Sequence, residues 1–166
     1  MSRPNKDEYY LNIAREVGKR SPCKRRHVGA IIVKNDSIIS TGYNGPARGT
    51  PNCNDYGCLK DEKKLAPGGS YDFCRAGPLH GETNAIINAA RENGGTMGAT
   101  MYISAEKEGN LTDARPCKMC KKEIINAGLE KVIVQRTDGC VEVFNVNFWV
   151  EETKSMNSGD VADFYR

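Results

Sequence analysis

The chain has 166 residues, with 24 Lys or Arg against 21 Asp or Glu and a formal net charge of +3. Hydrophobic residues make up 39% and charged residues 27%, which is ordinary for a folded protein and argues against extensive disorder. No apolar run approaches the roughly 20 residues that a membrane-spanning helix needs, and the polar start lacks the apolar part of a secretory signal. We therefore expect a cytoplasmic protein that forms a single domain over residues 1–166.

The predicted elements begin with a helix and a hairpin. Apolar residues recur at helical spacing over residues 7–19, which predicts an opening helix. Residues 28–33 and 37–42 read as two strands, and Asn35-Asp36 between them is a turn signal, so we expect a β-hairpin. Residues 43–78 are irregular and rich in Gly, Pro and Cys. A stretch of that length inside a compact domain points to a functional loop or a metal clip.

Helices and strands alternate in the second half of the chain. Residues 81–93 and 117–127 have helical character, and glycines follow both segments. Residues 100–104 and 131–134 read as strands on either side of the second helix, which predicts a βαβ unit with parallel strands. Residues 141–148 alternate well enough to predict one more strand, whereas the polar end of the chain predicts no element.

Seven cysteines accompany only two histidines, and in a reducing compartment such a count indicates metal binding or catalysis more than disulfides. Cys117 and Cys120 lie at one predicted helix start, where free N–H groups and the helix dipole favour thiolates. His80 lies at the other helix start and supplies a third ligand for Zn²⁺, which leaves the fourth position for water. Such a site lowers the pKa of the water to about 7. Glu82 is near enough to act on that water as a general acid and base.

Each half of this pattern has an ordinary explanation on its own. Cys117 and Cys120 could belong to a structural zinc knuckle or be buried thiols, and His80 could be a packed core histidine. Together, H-x-E followed by P-C-x-x-C is the signature of the zinc nucleobase deaminases. A zinc-stabilised binding module without enzymatic activity is an alternative to a deaminase, but it gives no reason for Glu82 to lie beside His80.

Longer stretches resemble the deoxycytidylate (dCMP) deaminases, and the resemblance covers residues 5 to about 135, leaving residues 136–166 divergent. The similar stretches are residues 20–33, 40–45, 51–58, 74, 80–86 and 117–134. The resemblance implies an α/β protein with the three-layer α/β/α cytidine-deaminase-like fold and a mixed, roughly five-stranded central sheet. It also implies zinc-dependent hydrolysis of dCMP to dUMP and ammonia. In that reaction an activated water attacks C4 of the base, and Glu82 moves the proton to N3 and then to the leaving amine.

Substrate contacts are also expected from the resemblance. Asn44 matches the family asparagine near the ribose and phosphate, and the alternative is a loop asparagine in a tight turn. Arg26, with Lys24 or Arg25 beside it, is placed to meet the 5′-phosphate, or else belongs to a solvated basic patch. Arg115, or Lys107 in the same loop, is a further candidate because the loop leads directly into the Cys117 motif.

The other cysteines suggest a second metal site. Related dCMP deaminases carry a second zinc in the irregular region, and the resemblance assigns Cys23, Cys53, Cys58 and Cys74 to a closed structural site here. Buried free thiols are the alternative. Cys140 is assigned to neither metal site.

Four departures from the family pattern bear on the substrate. Gly81 replaces the usual alanine, residues 105–115 form a longer connection than expected, residues 135–138 lack a nucleotide-binding tyrosine, and the C-terminal segment differs. Another cytosine nucleotide, a nucleoside or a tRNA adenosine therefore stays open as the substrate.

Partners are implied only by the resemblance. The family forms homo-oligomers, often hexamers, and is regulated by dCTP and dTTP, so we expect an oligomer and consider both effectors. A net charge of +3 is too small to indicate a nucleic-acid partner.

Overall fold

A computed structural model describes residues 3–66, 71–77, 79–92, 94–154 and 156, and its helices and strands pack around one mixed sheet. In chain order the elements are α1 (Lys6–Gly18), β1 (His27–Lys34), β2 (Ser37–Tyr43), α2 (Cys53–Tyr56), α3 (Leu59–Glu62), a 3₁₀ turn (Tyr71–Phe73), α4 (Gly81–Arg91), β3 (Thr100–Lys107), β4 (Asn110–Thr112), α5 (Lys118–Asn126), β5 (Lys131–Gln135), β6 (Val141–Asn145) and α6 (Val146–Lys154).

The predicted opening helix and hairpin are both confirmed. Asn5 begins α1 with a capping box, in which its side chain accepts from the backbone of Glu8 and the Glu8 carboxylate accepts in return. Strands β1 and β2 pair antiparallel, and Asn35 and Asp36 between them have φ values of 49° and 61°. Two positive φ values in a two-residue loop match the twist of a hairpin, and Asn and Asp tolerate them well.

The main path of the sheet runs β2-β1-β3-β5-β6, and β4 pairs with β3 beside that path. Strands β3 and β5 are parallel with α5 between them, which confirms the predicted βαβ unit. The other pairings are antiparallel, so the sheet is mixed, as expected.

Helices cover the two faces of the sheet and give it two apolar layers. On one face α1 packs Leu11 and Ala14 against Ile31 and Tyr102. On the other face α4, α5 and α6 cover a larger cluster of buried side chains. The α/β/α layering that the resemblance implied is therefore confirmed. Among the described residues no helix has the length and apolarity to cross a bilayer.

The strand predicted over residues 141–148 is wrong beyond Asn145, because α6 begins at the next residue. The Asn145 side chain accepts a hydrogen bond from the backbone of Asn147 at 3.0 Å, as a helix-capping residue does. Val146 and Trp149 are then one turn apart and both are buried. The alternating pattern masked this change from strand to helical spacing.

The irregular segment and the long connection also contain structure that was not predicted. The segment over residues 43–78 holds α2, α3 and the 3₁₀ turn. The connection over residues 105–115 continues β3, turns at Glu108 and Gly109 with positive φ, and returns as β4. The predicted limits at Pro78 and Asn93, and most of the polar end of the chain, lie outside the described residues.

Candidate active site

The predicted metal ligands come together where α4 and α5 begin. His80 and Cys117 are the N-cap residues of these helices, and Cys120 lies in the first turn of α5. The His80 Nδ1 atom is 3.5 Å from Cys117 Sγ and 3.4 Å from Cys120 Sγ. All three ligand atoms lie within 4.8 Å of one another. The sequence therefore identified a spatial cluster from two segments that are far apart in the chain.

This donor set fits a zinc ion. Tetrahedral coordination with Zn–S near 2.3 Å and Zn–N near 2.0–2.1 Å requires a sulfur-to-nitrogen separation of about 3.5 Å. The two separations from His80 have that length. Two thiolates and one imidazole also match the ligand types of catalytic zinc sites, which keep a fourth position open.

The electrostatics of the cluster favour a thiolate. Hydrogen bonding with Cys120, and then with His80, lowers the pKa of Cys117 against the opposing effect of its burial. The hydrogen bond between His80 and Cys117 raises the pKa of His80, and the separate hydrogen bond between Cys120 and Cys117, together with burial, raises the pKa of Cys120. The lowered pKa favours the deprotonated form of Cys117, which is the form that binds a metal.

Glu82 lies in the first turn of α4 and is only 4% exposed. Burial raises its pKa, and the charges of His80 and Arg26 oppose that shift. It lines the same cavity as His80 and Cys117. A buried carboxyl with a raised pKa can both accept and return a proton near neutral pH, which is the chemistry expected of a general acid and base.

The cavity beside the cluster has a volume of about 260 Å³ and a basic wall. Among the described residues, Arg25, Arg26, Lys60 and Arg115 line it, and Glu82 is its carboxylate. This excess of positive charge suits an anionic ligand.

The three predicted substrate residues all line this cavity but differ in their surroundings. The Arg26 Nε atom is buried and has no hydrogen-bond partner among the described residues. Arg115 is exposed and its guanidinium is paired with Asp113 at 2.5 Å. The buried Asn44 side chain accepts from the backbone of Val28 at 2.8 Å and donates to the Arg26 carbonyl at 2.9 Å. Asn44 therefore fixes the backbone that carries Arg26.

Sequence reasoning missed Lys60 and Tyr71. Lys60 is only 6% exposed, its Nζ atom is 5.8 Å from the centre of the Tyr71 ring, and that ring is 5.7 Å from the ring of His80. Lys60 stands in the charged run over residues 60–64, which looks like a solvated helix face. Tyr71 had no signal beyond being an aromatic residue in a glycine-rich segment. Lys107, a possible phosphate contact in sequence, does not line the cavity where the structure is described.

Three of the cysteines assigned to a second site act electrostatically on the fourth, Cys53. Burial raises the pKa of Cys53, and the charges of Cys23, Cys58 and Cys74 raise it further. No three of these sulfurs lie within 4.8 Å of one another, in contrast to the cluster at His80. A second metal site at these cysteines stays a prediction.

Three protein ligands beside a buried carboxyl are the arrangement of a catalytic zinc site. The model of the cytidine and deoxycytidylate deaminase zinc-binding region matches residues 4–136. That match covers most of the chain, which therefore belongs to the cytidine and deoxycytidylate deaminase family.

Relatives and solved structures agree with this assignment. The chain is 36% identical over 131 residues to a deoxycytidylate deaminase of Schizosaccharomyces pombe, covering 79% of this chain but 37% of that protein. It is 36% identical over 137 residues to the deoxycytidylate deaminase of Mycobacterium phage D29, covering 80% of this chain and 96% of that one. A crystal structure of dCMP deaminase from the cyanophage S-TIM5 in complex with dCMP and dUMP is 31% identical, with a TM-score of 0.61, and the match covers 84% of this chain and 90% of that one.

Proposed function

We propose that the chain is a zinc-dependent hydrolase that converts dCMP to dUMP and ammonia, and so supplies dUMP for dTMP synthesis. The observation that carries this proposal is the close approach of His80, Cys117 and Cys120 beside the buried Glu82, in a cavity with a basic wall. The similarity to the cyanophage dCMP deaminase, which was crystallised with dCMP and dUMP, supports the choice of substrate.

His80, Cys117 and Cys120 would hold the zinc ion, which when bound supplies a Lewis acid that makes water nucleophilic near neutral pH. Glu82 takes the proton of the attacking water and delivers it to N3 of the cytosine ring. It then takes the second proton from the hydroxyl now bonded to C4 and delivers it to the amino group, which leaves as ammonia. Burial of Glu82 keeps bulk water away from these transfers and raises its pKa, as suits a carboxyl that both takes up and releases a proton.

Arg26 and Lys60 are proposed to bind the 5′-phosphate, with Arg115 near the mouth of the cavity. The buried Nε atom of Arg26 supports this role, since a phosphate oxygen would supply the acceptor that the described protein atoms do not. Asn44 holds the backbone of Arg26 in place and is proposed to approach the ribose.

The test is release of ammonia by purified protein from a panel of dCMP, CMP, deoxycytidine and a tRNA substrate. We expect dCMP to give the highest kcat/KM. If the zinc-loaded protein preferred deoxycytidine, the monophosphate assignment would be wrong. Activity on the tRNA alone would indicate that the substrate is a tRNA adenosine and not a free nucleotide. Zinc binding without deamination of any substrate would indicate a zinc-stabilised binding module.

We also propose a structural zinc ion at Cys23, Cys53, Cys58 and Cys74, in addition to the catalytic one. Support comes from the electrostatic effect of Cys23, Cys58 and Cys74 on Cys53, and tetrathiolate sites of this kind are closed and contribute to folding. Two zinc ions per chain are expected by metal analysis of protein purified without chelators, and one per chain in Cys53→Ser. A value of one in both proteins would contradict the second site.

Regulation by dCTP and dTTP is proposed as well. A second cavity of about 530 Å³ is lined by Arg20 and Arg48 together with Asn52, and none of its lining residues is shared with the first cavity. Two guanidinium groups suit a polyphosphate. The rate at low dCMP should change when dCTP or dTTP is added, and Arg48→Ala should blunt both effects.

We propose that the chain forms a homo-oligomer, which in this family is often a hexamer. Residues 1–166 are proposed to form a single domain, and the protein is proposed to be cytoplasmic. Exposed Val141, Val143 and Phe148 near the free edge of the sheet support contacts between copies. Light scattering after size exclusion tests the assembly, since a monomeric mass at micromolar concentration would exclude it.

A further inference from the structure

We propose that Thr83 and Glu123 form a clamp that positions the two halves of the metal site, an inference that rests on the proposed function. The Thr83 hydroxyl donates to the Glu123 carboxylate with a separation of 2.5 Å between Oγ1 and Oε2. Thr83 is in α4 and Glu123 is in α5, so this bond joins the two helices directly.

In each helix, the clamp residue lies about one turn further along the chain than a metal ligand. Thr83 follows His80 by three positions and Glu123 follows Cys120 by three, and residues at that spacing share a helix face. The Thr83 Oγ1 atom is also 4.0 Å from Cys120 Sγ. The hydroxyl therefore lies between the carboxylate it bonds and the sulfur it faces.

The metal site needs such a connection because its parts come from two separate helices. His80 and Glu82 move with α4, whereas Cys117 and Cys120 move with α5. Other side-chain bonds fix α4 to β2 instead, as in the bond from Ser40 Oγ to the Ala85 carbonyl at 2.8 Å. A tie between α4 and α5 at the level of the sulfurs controls the separation on which zinc coordination depends.

The bond is of a strong kind. A hydroxyl that donates to a carboxylate forms a short, charge-assisted bond, about twice as strong as a bond between neutral groups. Both residues are half-buried, which limits competition from water. Groups that orient metal ligands typically change metal affinity by roughly 10- to 100-fold when they are replaced.

The chain offers a control with the same substitution at the opposite end of α5. The Thr96 hydroxyl donates to the carbonyl of Ala127 at 2.6 Å, beyond the last turn of that helix and away from the sulfurs. Thr96→Val therefore removes one hydroxyl bond to the same helix without touching the ligand end. Thr83→Ser keeps the hydroxyl and should restore the clamp.

The experiment measures zinc affinity by competition with a chromophoric chelator for the full-length wild type, Thr83→Val, Thr83→Ser, Glu123→Leu and Thr96→Val. Thermal unfolding and zinc-loaded kinetics are recorded for each protein. We expect Thr83→Val and Glu123→Leu to weaken zinc binding by roughly 10- to 100-fold and to lower kcat more than they change KM. Thr83→Ser and Thr96→Val should bind zinc like the wild type.

Wild-type zinc affinity in both Thr83→Val and Glu123→Leu would overturn the clamp while leaving the proposed function intact. A loss of affinity in Thr96→Val as large as in Thr83→Val would also overturn it, because the effect would then follow general stability. If Thr83→Val does not fold, Glu123→Leu decides the question by the same criteria. A wild type that neither binds zinc nor releases ammonia would instead remove the proposed function.

Discussion

At the scale of single residues, the chemistry depends on how deeply each charged group is buried. Glu82 is enclosed and its pKa is raised by burial, whereas Asp113 lies nearer the surface, where hydrogen bonds from Arg115 hold its pKa low despite partial burial. The same contrast separates the cations of the cavity, since Lys60 is buried and Arg115 is exposed. Burial thus distinguishes the groups proposed to act on or bind the substrate from a group that forms a surface ion pair.

Glu82→Gln should keep zinc and lose most of the turnover. The amide has nearly the same shape but cannot move a proton, and general acid–base catalysis contributes roughly 10²- to 10⁴-fold. Metal analysis beside steady-state kinetics is the measurement, with His80→Ala as the control that should lose the catalytic zinc. A Glu82→Gln protein with a rate near that of the wild type would show that another group moves the proton.

Removal of a phosphate contact should affect the nucleotide and spare the nucleoside. We expect Arg26→Ala and Lys60→Met each to lower kcat/KM for dCMP by roughly 10- to 150-fold, because a hydrogen bond to a charged group contributes about 1.5–3 kcal/mol. Activity on deoxycytidine should change little. Arg115→Ala should have a smaller effect, since Asp113 already pairs with that exposed guanidinium. Equal losses on dCMP and deoxycytidine would indicate damage to the fold and not a lost phosphate contact.

The ligands could be predicted from sequence but their supports could not. His80, Glu82, Cys117 and Cys120 belong to short patterns in which spacing carries the chemistry. Thr83 and Glu123 are 40 positions apart, and nothing local marks either residue as a partner of the other. The place of Lys60 in the cavity could not be predicted from sequence for the same reason, because its burial depends on the packing of a segment whose structure was not predicted.

At the scale of elements, the site depends on how closely α4 lies against the sheet. A Cβ atom placed on Gly42 of β2 would lie 2.2 Å from the backbone nitrogen of Ala85, so the helix and strand touch through their main chains. Gly81 is crowded too, since a Cβ there would lie 2.9 Å from the Val28 carbonyl oxygen. Glycine at position 81 thus permits the close start of α4 in this chain.

Gly42→Ala should therefore destabilise the protein and displace α4. Overpacking of a filled interior costs about 1–3 kcal/mol, and here the obstacle is backbone, which cannot rotate away. Urea unfolding followed by circular dichroism gives the change, and zinc affinity should fall with it because α4 carries His80. Gly95→Ala is the control, since its nearest neighbour would be the flexible Lys34 side chain at 3.8 Å. Similar stability of the two variants would contradict the close approach.

The errors in element prediction have a common cause. Residues 141–148 alternate like a strand, yet the cap at Asn145 starts a helix within them. The long connection before Arg115 contains β4, whose pairing partner β3 is supplied by the chain that precedes it. Local periodicity predicted the helices that begin the site, but it could not reveal where a strand stops or which strand a loop joins.

At the scale of the whole molecule, the region shared with the family does not include the complete core. The family match ends at residue 136, whereas β6 comes later and extends the sheet, and α6 covers the face that carries the metal site. Trp149 is 5% exposed, its ring centre is 5.6 Å from that of Phe144, and it is 5.5 Å from Lys121 Nζ on α5. The divergent segment is thus connected to the helix that carries Cys117 and Cys120.

Trp149→Ala should destabilise the whole fold, because replacing a buried Trp by Ala costs about 3–5 kcal/mol. That loss approaches the lower part of the 5–15 kcal/mol that typically separates folded from unfolded domains, so zinc affinity and activity should fall together with stability. Trp149→Phe should retain most of the stability, since it preserves the aromatic contact with Phe144. Urea unfolding followed by far-ultraviolet circular dichroism measures all three proteins.

A fragment of residues 1–138, which contains the family match but lacks β6 and α6, should fail to unfold cooperatively. If that fragment unfolded cooperatively and deaminated dCMP like the full chain, the family region would be a complete folding unit and α6 would be dispensable.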